Sequence, residues 1–175
     1  VWLKWHVCLQ ALQWPSVSSV FFLDADVGVF APFEEHLDAQ GADFMFSPEL
    51  PGNLSAGLNG GQLWFKSNDR TLAYIRKVLQ HDGVADPLDQ VFAQKALRAP
   101  LSWRALPTEH FKSYCWTLNS LEAGIVTNST LTYHANCHGK AASKALTLIA
   151  AHLKLLQARS PSQEGDSKSS NQSLP

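Results

Sequence analysis

Residues 19–30 read Ser-Val-Phe-Phe-Leu-Asp-Ala-Asp-Val-Gly-Val-Phe. Ser19 to Leu23 is an apolar run of strand length, the pattern of a strand buried on both faces. It runs straight into Asp24-Ala25-Asp26, so the strand delivers two carboxylates, spaced i and i+2, to its C-terminal end. In open α/β sheets ligands sit at that end. Two adjacent carboxylates repel unless a cation joins them, and a hard divalent cation, Mn²⁺ or Mg²⁺, meets that need. The alternative for the same residues is a capping or turn pair at a strand end.

Outward from this strand, helices and strands alternate. Residues 2–13 form a helical pattern ended by Trp14-Pro15. Ala42–Ser47 and Gln62–Lys66 read as strands, with Pro48–Gly57 between them as a loop. Asn68 is an N-cap for a helix running to about His81, with Leu72, Ile75, Val78 and Leu79 as its apolar stripe. A helix is expected over about Pro87–Leu97, strands over Leu101–Leu106 and within Ile125–Ala135, and a long Ala/Leu-rich helix over Lys140–Gln157. The alternation argues for an α/β fold.

The chain has 175 residues, 45% apolar and 17% charged. That is one ordinary domain, and disorder throughout is excluded. Lys plus Arg is 14 against Asp plus Glu of 15, so nothing points to nucleic acid as a partner. Cys8, Cys115 and Cys137 are too sparse for a disulfide framework and read as small buried thiols. No apolar run approaches the length of a membrane span. The first helical pattern opens without a cap, so the polypeptide is expected to continue upstream. Three sequons, at Asn53, Asn128 and Asn171, weakly favour a secretory lumen.

Three further motifs carry chemistry. Asn59-Gly60-Gly61 brings backbone close to a ligand, or simply turns into a strand. Asp89-Gln90 opens a helix, where a carboxylate also balances the dipole. His134 ends a late strand in Tyr-His-Ala-Asn-Cys-His-Gly-Lys. It is either a metal ligand or a structural histidine.

The order of these four motifs resembles the nucleotide-diphospho-sugar transferase family. This is a GT-A glycosyltransferase family that includes plant and algal cell-wall arabinosyl-, xylosyl- and galactosyltransferases. The resemblance spans about Lys4–Lys144. It implies a GT-A, Rossmann-like mixed sheet flanked by helices. Asp24, Asp26 and His134 would hold Mn²⁺ (or Mg²⁺), and Asp24, Asn59, Gly60, Gly61, Gly139 and Lys144 would bind the nucleotide-sugar. Asp89 and Gln90 would lie at the reacting carbon. Asn136 matches a further position near the diphosphate, and Lys140 is a second candidate cation. The acceptor would be a hydroxyl of a glycan or glycoprotein. Exposed tryptophans among Trp64, Trp103 and Trp116 would stack on its rings, unless they are core. The resemblance implies a type II membrane protein of the Golgi lumen, anchored outside this sequence.

GT-A domains place base-binding βαβ units before the DxD, and only 23 residues precede Asp24. Residues 1–158 are therefore expected to hold the C-terminal portion of the domain, and 159–175 a disordered Ser-rich tail. Two other classes remain open: a metal-dependent phosphohydrolase of the haloacid-dehalogenase type, and a non-catalytic glycan- or nucleotide-binding remnant. The first needs a second acidic pair on a later strand. Glu164-Gly165-Asp166, the only late cluster, has no strand before it.

Overall fold

A computed structural model describes residues 2–38, 41–82, 89–119 and 121–160. Glu164-Gly165-Asp166, the third sequon and nearly all of the expected tail lie outside these residues. The expected tail's first residue, Arg159, is instead the last residue of a helix.

The first elements are helix α1 (Leu3–Leu12), strand β1 (Ser19–Leu23), strand β2 (Val27–Val29) and helix α2 (Glu34–Asp38). Strands β3 (Phe44–Leu50) and β4 (Asn53–Lys66) follow, then helices α3 (Asp69–Leu79) and α4 (Asp89–Ala96). Strands β5 (Trp103–Ala105) and β6 (Phe111–Ser113) lead to helix α5 (Tyr114–Leu118) and a 3-10 turn at Glu122–Gly124. Strand β7 (Thr132–His134) and helix α6 (Ala141–Arg159) complete the described chain. One sheet has the order β1-β4-β3-β5, and a smaller one β2-β7-β6. Both are mixed: β1, β3 and β4 pair antiparallel, while β3–β5 and β6–β7 pair parallel.

Period-two alternation builds two cores. Phe44 and Phe46 of β3, with Leu63 and Phe65 of β4, face α1, α3 and α4 and meet Trp5, Cys8, Tyr74, Ile75 and Val78. The intervening Met45 and Trp64 point the other way, onto Leu37, Leu106 and Phe111. β1 touches both cores, Val20 and Phe22 one and Phe21 the other. It is nonetheless only half-buried along its length, because its sole strand neighbour among the described residues is β4. The expectation of full burial on both faces is corrected accordingly.

The expected loop at Pro48–Gly57 is mostly hairpin. β3 continues to Leu50 and β4 begins at Asn53, so Pro51-Gly52 is a two-residue turn with Gly52 at φ 75°. Pro48 is tolerated because the register shifts around it, and a bulge relieves the ladder of a missing donor. Asn68 caps α3 as expected, its side chain accepting from Thr71 N at 3.0 Å.

The thiol reading holds for Cys8, which is buried in the core, where burial pushes its pKa up to about 12. It fails for the other two: Cys115 and Cys137 form a disulfide, Cα atoms 5.5 Å apart. The parallel pairing of β6 and β7 sets Ser113 opposite His134, which brings the residues just after each strand together. Trp64 and Trp116 are buried, and the half-buried Trp103 packs on Phe46, so all three serve the core rather than an open sugar platform.

Candidate functional site

β1 ends at Leu23, and Asp24 is fixed by its N–H donating to Gly61 O of β4 at 2.9 Å. The chain turns through Asp26 into β2, with Val27 N donating to Asp24 O at 3.0 Å. β2 pairs with β7 so that Val27 sits opposite His134. Strand pairing thus carries His134 to the carboxylates across more than a hundred residues of sequence. Its Nε2 lies 3.2 Å from Asp26 Oδ1 and 4.0 Å from Asp24 Oδ2. One ligand atom from each of the three lies within 4.8 Å of the others, a set able to hold a metal ion.

Lys144, from the first turns of α6, reaches Asp26 Oδ2 at 2.7 Å. The His134 hydrogen bond and the Lys144 ammonium hold the Asp26 carboxyl well below the usual carboxylate range. Burial pushes Asp24 the other way, against the opposing pull of Lys4 and His134. Neighbouring carboxylates are thereby driven apart in acidity.

His134 is almost wholly buried, and its Nδ1 has no hydrogen-bond partner among the described residues. Its ring lies flat against Gly61: a Cβ there would meet ring carbon Cε1 and stand 2.6 Å from Nε2. Gly61 is therefore required by contact with His134. At Gly60 a Cβ would meet Lys4 Nζ, so a side chain there would push the lysine from its place.

Asp89 and Gln90 complete the far wall. Asp89 is buried, with Oδ2 accepting from Trp5 Nε1 at 2.6 Å and pairing with Lys4 Nζ at 3.0 Å. Lys4 also donates to Gly60 O at 3.1 Å. Gly60 N donates to Gln90 Oε1 at 3.3 Å, and Gly61 N to Asn59 Oδ1 at 3.0 Å. Glu49 Oε1 accepts from both Asn59 Nδ2 and Gln90 Nε2, at 3.3 and 3.2 Å.

Asp24, Asp26, Asn59, Gly60, Gly61, Asp89, Gln90, His134 and Lys144 thus line one cavity of about 360 Å³. Asn136 and Cys137 also line it. The Asn136 side chain is committed to structure, accepting from Ser113 Oγ and Cys115 N. Gly139 and Lys140 sit on the loop and cap before α6 and are not among the lining residues. His138 turns away, hydrogen-bonding Thr147 and stacking on Tyr114.

Sequence reasoning missed Lys4, Trp5 and Glu49. Lys4 carried a signal, as a cation set between apolar residues in Trp-Leu-Lys-Trp. Glu49 carried another, a carboxylate following the apolar run Phe44-Met45-Phe46, the same pattern that exposes the DxD.

An α/β domain with a carboxylate–histidine cluster at a strand end, facing a glycine-walled cavity, has the architecture of a GT-A glycosyltransferase. The family model for nucleotide-diphospho-sugar transferases matches residues 1–148, and the chain belongs to that family. Among solved structures it is similar to a glycosyltransferase involved in the glycosylation of the major capsid of PBCV-1. The two are 17% identical with a TM-score of 0.62, over 83% of this chain and 74% of the other, a likeness of fold. No curated protein matches the chain. Among the described residues no helix is long and apolar enough to cross a membrane.

Proposed function

We propose that this chain transfers a sugar from a nucleotide-diphosphate donor to a hydroxyl of a glycan or glycoprotein, using Mn²⁺ or Mg²⁺ held by Asp24, Asp26 and His134. The observation that carries the reading is the convergence of those three ligands in the lining of one cavity. The donor set fits the ion: two carboxylates and an imidazole suit Mn²⁺, and carboxylates with water suit Mg²⁺. The cation would offset charge building on the departing diphosphate.

The chain's own residues do the rest. Lys144 adds a positive charge beside Asp26 for the diphosphate, while Gly139 and Lys140, outside the cavity lining, precede its helix. Gly60 and Gly61 leave backbone rather than side chains at the wall that faces the donor sugar, and the Asn59 side chain braces Gly61 N. Asp89, held by Lys4 and Trp5, faces the anomeric carbon and stabilises its cationic character, and Gln90 positions the sugar. The bond from the anomeric carbon to the diphosphate oxygen breaks, and its electron pair leaves on the diphosphate. The acceptor oxygen bonds to that carbon and gives its proton to the diphosphate or to solvent.

The Golgi lumen, with an anchor outside this sequence, is the proposed location. A disulfide suits an oxidising compartment, and two sequon asparagines, Asn53 and Asn128, are exposed. A mass loss on endoglycosidase treatment of the chain from secretory cells would support it; an unmodified mass would count against it.

The test of function is calorimetric titration of UDP and GDP with and without Mn²⁺, followed by nucleotide release from the corresponding sugar donors. Metal-dependent nucleotide affinity with sugar transfer is expected. Affinity without turnover would favour the binding remnant. Phosphate release from aryl phosphates, with covalent trapping at Asp24, would favour the phosphohydrolase.

A further inference from the structure

We propose that the groove between the β3–β4 hairpin and α4 is the subsite for the acceptor sugar, with Glu49 and Gln94 as its hydroxyl-binding residues. This rests on the reading of the neighbouring cavity as the donor site. The groove measures about 270 Å³, and Glu49, Gly57, Leu58, Gln90, Val91 and Gln94 are among its walls.

Continuity with the donor cavity is the first argument. Gln90 lines both spaces. Its carboxamide bridges them, Oε1 accepting from Gly60 N on the donor side and Nε2 donating to Glu49 Oε1 on the groove side. Transfer requires the acceptor oxygen to approach the anomeric carbon to roughly 3–3.5 Å. An acceptor must therefore abut the donor cavity, and this groove meets it at one side chain.

The chemistry of the walls is the second. Glu49 is half-buried, and among the described residues its carboxylate accepts from two neutral carboxamides, both on Oε1 and neither on Oε2. An ionised carboxylate only accepts hydrogen bonds, and sugar hydroxyls are donors in supply. Burial pushes the Glu49 pKa up, against the opposing pull of its Asn59 and Gln90 hydrogen bonds and of His134. Two contacts fix the Glu49 backbone and stem. Trp116 Nε1 donates to Glu49 O at 3.0 Å. Gly57, at φ 129°, lies where a Cβ would stand 3.3 Å from Glu49 Cγ.

Gln94 supplies the third. Its Oε1 is buried without a hydrogen-bond partner among the described residues, and its Nε2 makes only a long 3.5 Å bond to Leu54 O. A hydroxyl both donates and accepts, so it satisfies a carboxamide in either orientation. Leu58 and Val91 add the apolar surface that the C–H face of a sugar ring packs against.

The test uses the full chain with three variants: Val91→Trp to fill the groove, Glu49→Gln to keep its shape without the charge, and Gln94→Ala. The probes are methyl glycosides of galactose, xylose and arabinose, followed by saturation-transfer NMR with UDP and Mn²⁺ present. At least one glycoside is expected to bind the wild type. Its Kd should rise at least tenfold in Val91→Trp and about fivefold in Glu49→Gln and Gln94→Ala. UDP–Mn²⁺ affinity, measured separately, should change less than twofold in Val91→Trp. Glycoside binding that is absent in the wild type, or unmoved in all three variants, overturns the proposal. Loss of UDP–Mn²⁺ binding in the wild type would instead sink the donor reading, and the glycoside result would still decide the groove.

Discussion

Asp43 and Asp26 flank apolar strands, and both are held at low pKa, yet they are built for different work. Asp43 stands just before β3 and is almost wholly buried. Its oxygens accept from Arg70 Nε and Nη2, both at 2.7 Å, from Asn68 Nδ2 at 2.8 Å and from Ser102 N at 2.9 Å. One carboxylate thereby ties β3 to the start of α3 and to the approach to β5, with its charge matched inside the chain. Asp26 shares an imidazole with a second carboxylate, Asp24, that burial pushes the opposite way. Full internal satisfaction marks a structural lock. Two like charges that share one histidine mark a place for added positive charge.

Asp89 tests that distinction most severely, because it has features of both: buried and paired like Asp43, cavity-lining like Asp26. If it faces the reacting carbon, Asp89→Asn lowers kcat by at least about 100-fold with donor affinity little changed. Steady-state sugar transfer at saturating donor reads this. A kcat within threefold of wild type would class Asp89 with Asp43.

Breaking the lock should do the reverse. Asp43→Asn is expected to cost about 2 kcal/mol of stability in urea unfolding, since the buried carboxylate gives up its charge-assisted bonds to Arg70, Asn68 and Ser102. Mn²⁺ affinity should stay within twofold. Arg70 first, then Ser102 and Asn68, hold the Asp43 pKa at about 2, below the unfolded value near 3.9. Its contribution is therefore complete above about pH 4 and fades as pH falls toward about 2. The stability gap between wild type and Asp43→Asn should narrow over that window. A gap independent of pH would refute the charge argument.

The smallest effect expected is at Asn68, which caps α3 and also donates to Asp43. Asn68→Ala should cost about 1 kcal/mol. Thermal unfolding checks it, and a loss below a few tenths would show that the cap is dispensable.

The sequence made the Asp24–Asp26 side of this comparison readable and left the lock dark. An apolar run ending in two carboxylates is visible in a single window, and the glycine pair, the Asp-Gln pair and the late histidine each carry a local pattern. Their convergence is a product of register, Val27 opposite His134, which the order of motifs implied but no window contains. Lys4 and Trp5 meet Asp89 across more than eighty residues, and nothing near α1 announces that partner. The hairpin at 48–57 was obscured by its own prolines and glycines, which serve bulge and turn rather than loop. The Cys115–Cys137 bond was hidden because its closeness comes from β6–β7 pairing, not from spacing.

The central claim is that Asp24, Asp26 and His134 form a cation site, whereas Asp43 does not. Titration of Mn²⁺ into wild type, Asp26→Asn and Asp43→Asn, followed by electron paramagnetic resonance of the free ion, tests it directly. Affinity is expected to be at least tenfold weaker in Asp26→Asn and unchanged in Asp43→Asn. Equal affinity in wild type and Asp26→Asn would contradict it.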